Sequence, residues 1–72
     1  MTGAEFEQVK NLILNNQSIT KEQLNKLENL QKQYTIAKTR CNINGDIKKA
    51  LYYRQLALEV YNLIEQSQLK TN

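Results

Sequence analysis

The chain has 72 residues, 40% hydrophobic and 24% charged, and its ten Lys and Arg outnumber seven Asp and Glu to give a net charge of +3. One Cys and no His exclude a disulfide framework and a Cys/His zinc site, and they remove the usual general base near neutral pH. No run approaches the ~18 apolar residues of a membrane span, and the first residues lack the basic-then-apolar order of a secretory signal. The chain therefore reads as one small domain, residues 1–72, cytoplasmic and with no membrane partner.

Proline is absent and glycine occurs only at positions 3 and 45, so little in the backbone chemistry interrupts a helix. Apolar residues recur at spacings of three and four, without the alternation of a strand. Thr2-Gly3-Ala4-Glu5 has the form of a capping box, in which hydroxyl and carboxylate satisfy free amides reciprocally. Phe6, Val9, Leu12 and Ile13 then share one face of a short helix over about residues 3–15. Asn15-Asn16-Gln17-Ser18 breaks it, because these side chains compete for backbone hydrogen bonds.

Thr20-Lys21-Glu22-Gln23 is a second capping box, with Ile19 placed to staple onto Leu24. From it a helix over about 21–43 runs along a seam of Leu24, Leu27, Leu30, Tyr34, Ala37 and Cys41. On that seam Cys41 reads as a small buried hydrophobe. Glu22 with Lys26, and Glu28 with Lys32, are i,i+4 pairs in the favourable order. Asn44-Gly45 ends the helix, and Asp46 caps a third that runs to about residue 68, with the last few residues frayed. So short a turn folds the second and third helices back as an antiparallel hairpin, about 33 Å long at 1.5 Å per residue. The fold class is all-α: a short N-terminal helix plus a long antiparallel hairpin.

The third helix is apolar around an unusual share of its circumference. Ile47, Ala50, Leu51, Tyr53, Ala57, Leu58, Val60, Tyr61 and Ile64 cover about half of it as the expected core arc. Tyr52, Leu56 and Leu63 form a second stripe, and Ile36 and Ile43 stand seven apart off the seam of the preceding helix. These five are expected at a partner surface or a dimer seam. A small core and so greasy a helix predict a homodimer that completes a helical bundle.

Charge is uneven. Residues 31–54 hold Lys32, Lys38, Arg40, Lys48, Lys49 and Arg54 against Asp46 alone, so the positive excess gathers around the hairpin turn. Lys38 and Arg40 suit the negative end of their helix dipole, whereas Lys48 and Lys49 begin the next helix, where cations are unfavourable by about a few tenths of a kcal/mol. Lys38, Arg40, Lys48, Lys49 and Arg54 are accordingly the candidate basic site.

Gly45-Asp46-Ile47-Lys48-Lys49-Ala50-Leu51-Tyr52-Tyr53, with Ala57 and Leu58, resembles the second helix of a tetratricopeptide repeat: a Gly-Asp turn, an alanine five residues after the glycine and another seven later. Tyr34 and Cys41 fall at large positions of the first helix of such a unit. Lys38 stands where the family has a small residue, Arg54 replaces an aromatic, and no proline closes the unit. The resemblance implies a helical hairpin.

Catalysis finds little footing. Glu5 and Glu7 point in different directions on their helix, Glu22 and Glu28 have lysine neighbours, and Cys41 has no base beside it. No phosphate-binding glycine loop or calcium loop is present. The expectation is a non-enzymatic adaptor or regulator that binds another protein, without cofactor, metal or small-molecule substrate. The alternative is a dimeric hairpin that binds RNA or DNA, its cations on phosphates and its tyrosines stacked on bases.

Overall fold

The computed structural model describes residues 1–70, with side chains through residue 68. Among them are three helices, α1 (Gly3–Leu14), α2 (Lys21–Ile43) and α3 (Ile47–Lys70), in a body measuring 41 × 23 × 17 Å. α2 and α3 pack along their length as the antiparallel hairpin. The frayed end expected beyond residue 68 falls in part on residues 71 and 72, outside the described residues, and α3 itself continues to Lys70.

The helix boundaries follow from identifiable backbone chemistry. Thr20 Oγ1 accepts from the Gln23 amide at 3.1 Å, and Gln23 Oε1 accepts from the Thr20 amide at 2.9 Å, so this capping box is complete. At α1 only one half forms. Thr2 Oγ1 takes the Glu5 amide at 3.1 Å, but the Glu5 carboxylate reaches Lys26 of α2 instead, at 3.0 Å. A tertiary ion pair stands in place of the local hydrogen bond.

Both later helix ends use left-handed caps. After α2, the amide of Asp46 donates to the Cys41 carbonyl at 2.8 Å and that of Gly45 to Asn42 at 3.1 Å, around Gly45 at φ 79°. After α1, Gln17 donates to Leu12 at 2.9 Å and Asn16 to Ile13 at 3.1 Å, around Asn16 at φ 61°. The break at 15–18 is thus a backbone cap, in which Asn takes glycine's place, and not side-chain competition. Asp46 Oδ1 accepts from the Lys49 amide at 3.3 Å and opens α3.

The core is small: Val9 and Ile13 of α1, Leu27 of α2, and Val60, Leu63 and Ile64 of α3, with Phe6, Ile19, Leu24, Leu30 and Tyr34 packed around them. Its position corrects the expected arc on α3. Leu63 is buried and Leu56 half-buried, whereas Ile47, Leu51, Leu58 and Tyr61 are exposed. The reason is where α1 docks. Phe6, Val9 and Ile13 lie across the Leu56–Leu63 side of the hairpin, so the stripe expected to seek a partner is covered internally. Part of the expected core arc is left outside.

Two ion pairs hold α1 in place. Lys10 Nζ meets Glu59 Oε1 at 2.9 Å and Lys26 Nζ meets Glu5 Oε2 at 3.0 Å, tying α1 to each arm of the hairpin. The hydrogen bonds that the two ammoniums donate to Glu59 and Glu5 raise both lysine pKa values above their ordinary value. A raised lysine contributes stability that is whole below its unfolded pKa and lost as pH rises through the folded one, so these ties hold at neutral pH and open in strong alkali. Glu22 stands 4.0 Å from Lys26, a looser contact than Glu5 makes, and Glu28 and Lys32 do not meet.

No atom lies within 4 Å of a Cβ built on Gly45, so its role is purely conformational. Gly45→Ala is expected to cost about 1–2 kcal/mol through the left-handed backbone alone, and Gly45→Asn to recover much of that, as read from urea unfolding midpoints.

Candidate functional site

The hairpin has two broad faces, and α1 covers one. On that side Phe6, Leu30, Tyr34, Leu56 and Glu59 line the cleft between α1 and the hairpin. The other side is bare. There Ile47, Leu51, Leu58 and Tyr61 are 58, 53, 49 and 44% exposed. With Arg54 and Glu65 they recur at alternating spacings of four and three. At 100° per residue that confines them to an arc of about 80° on α3. This is a continuous apolar stripe with one cation in its middle and one carboxylate at its end.

A groove of about 280 Å³ runs beside the stripe between α3 and α2, lined by Arg54, Ala57, Leu58 and Tyr61 on one wall and Gln31, Thr35 and Lys38 on the other. It is shallow for a small-molecule cavity and is floored by apolar atoms, which suits the ridge of a packed side-chain row. The Tyr61 hydroxyl donates to Glu65 Oε1 at 2.6 Å, and this hydrogen bond to a carboxylate raises the phenol's pKa. The polar atom of Tyr61 is therefore already satisfied within its own helix.

The basic residues of the sequence analysis fall into two groups. Lys49 has an acid nearby, its ammonium 4.0 Å from Asp46 Oδ2, which gives one of the two dipole-opposing lysines a local reason. Among the described residues Lys38, Arg40, Lys48 and Arg54 have no ion-pair partner. Arg54 lies within the stripe and Lys38 on the groove's opposite wall, while Arg40 and Lys48 are exposed near the turn.

The apolar candidates scatter. Leu63 is buried at 5% exposure and cannot meet a partner without unfolding, and Leu56 is half-covered by α1. Ile36 and Ile43 are exposed at 52 and 79%, but they occupy the side of α2 turned away from α3 and do not join the stripe. Tyr52 is 59% exposed and packs edge-on to Tyr53 at 5.5 Å between ring centroids, with the Tyr34 ring tilted against Tyr53 at 6.3 Å. Sequence reasoning missed Ile47, Leu51, Leu58 and Tyr61 as surface residues. The available signal was their own four-three register, separate from that of Ala50, Ala57 and Ile64.

Comparison with protein-family models, characterised proteins and solved structures finds no match to this chain. No helix among the described residues is long and apolar enough to cross a membrane.

The Tyr61–Glu65 bond is directly measurable. In an ultraviolet titration of the four tyrosines, one phenol should ionise above the ordinary value for tyrosine. That component should vanish in Tyr61→Phe and shift down in Glu65→Gln, because removing the carboxylate removes the cause.

Proposed function

We propose that this chain is a non-enzymatic helical module that binds protein through the bare face of α3. The observation that carries this reading is the exposed stripe of Ile47, Leu51, Leu58 and Tyr61, four large apolar side chains in one row on a hairpin whose other face is already covered. Scattered exposed apolar residues need no explanation, but a contiguous row at helix-pairing spacing does. Burying such a row against a partner helix removes apolar area from water, and Arg54 within it and Lys38 across the groove favour a surface that offers carboxylates. The groove alongside adds a slot for that helix's side chains.

Leu58 is half exposed, so Leu58→Asp should keep the chain folded with unchanged helical content, at a cost of about 1 kcal/mol from lost partial burial and lower helix propensity. A photo-crosslinker at position 58 should capture a protein in host cells and lose it when Leu51→Asp is added, while a crosslinker at Ile36 should capture none. Equal capture at both positions would remove the reading.

The cations without ion-pair partners near the turn favour a second reading, a nucleic-acid contact made by Lys38, Arg40 and Lys48, with the exposed Tyr52 ring available to stack on a base. On that reading, labelled RNA or DNA binds at low salt, weakens tenfold or more towards physiological salt, and is lost in the Lys48→Glu/Arg40→Glu double variant. No binding at low salt excludes it.

A further inference from the structure

Resting on the reading that the bare face of α3 binds protein, we infer that its occupant is a second copy of this chain, laid antiparallel so that α3 packs on α3 about a two-fold axis. Charge favours that orientation over the parallel one. Arg54 within the stripe and Lys48 at its flank lie in the first half of α3, and the stripe's carboxylate, Glu65, lies in the second half beside Tyr61. A parallel pair would set Arg54 on the partner's Arg54 and Glu65 on the partner's Glu65, like charge on like.

The antiparallel pair separates the two Glu65 and offsets the two Arg54 by four residues, about 6 Å along the axis. With the axis level with residue 56, Leu51 faces the partner's Tyr61, Arg54 faces the partner's Leu58, and Ile47 faces the partner's Glu65. Each layer then occurs twice by symmetry. Lys48 is brought beside the partner's Glu65, and the Arg54 guanidinium beside the partner's Tyr61 ring, whose hydroxyl its own Glu65 already satisfies. Polar Gln55 and Asn62 flank the seam on the outer side, where no like charges meet. The Ile47–Glu65 span is about 27 Å at 1.5 Å per residue, a short seam.

Sedimentation of the full chain over a micromolar concentration series should show a reversible monomer–dimer equilibrium. Leu58→Asp and, separately, Leu51→Asp should shift it at least tenfold towards monomer with unchanged helical circular dichroism. Geometry is read by disulfide trapping in a Cys41→Ser background. Leu51→Cys and Tyr61→Cys chains, one carrying a mass tag, are mixed and oxidised with copper phenanthroline. The antiparallel seam yields the mixed 51–61 disulfide, and neither variant alone should give a comparable yield. A dominant 51–51 disulfide overturns the inference by showing a parallel pair, yet leaves α3 a protein-binding face. A monomer at every concentration also overturns it, and the crosslinker at position 58 then decides the broader reading separately: capture of another protein keeps that reading, and none ends both.

Discussion

A twelve-residue helix cannot cover both faces of a hairpin whose third helix is apolar on nearly every side. The rest of the molecule follows from that constraint. α1 presents a single row, Phe6, Val9 and Ile13, and buries it against whichever side of α3 offers the deeper set of partners. Leu63, Val60 and Ile64 of α3, with Leu27 of α2, supply them. Once α1 is committed to that side, Ile47, Leu51, Leu58 and Tyr61 have nothing left among the described residues to cover them.

Electrostatics reinforce the choice of side. Lys10 pairs with Glu59, and Glu5 leaves its local capping role to pair with Lys26, so both arms of the hairpin hold α1 by charge as well as by apolar contact. Exposed pairs of this kind contribute little each. Their effect is directional: they favour one seat for α1 over alternatives with equal apolar burial. Among the described residues the cations around the turn have no ion-pair partner apart from Lys49 beside Asp46, because Asp46 is the one acid in residues 31–54.

Much of the fold was legible in residues of local consequence. The Thr20–Gln23 box, the Asn44-Gly45-Asp46 turn and the three-four spacing of Leu24, Leu27, Leu30 and Tyr34 set helix boundaries and the hairpin, because each acts through backbone groups a few residues away. Asn16 was harder to read, since asparagine signals both side-chain competition and tolerance of a left-handed backbone, and here the second prevailed. The site was legible only in part. Arg54 and Lys38, expected at the hairpin turn, line the groove between α2 and α3, while Leu63 and Leu56 turned inward and the exposed row came from residues assigned to the core.

What the sequence determined by itself is an all-helical chain with a greasy third helix, a turn built on Gly45 and a cationic end, since these depend on near neighbours and on composition. Only the tertiary structure decided which side of α3 stays in water. On a helix apolar through most of its circumference, periodicity ranks no face above another. The choice belongs to the seat of α1, which is set by shape and by ion pairs between residues as much as 49 positions apart.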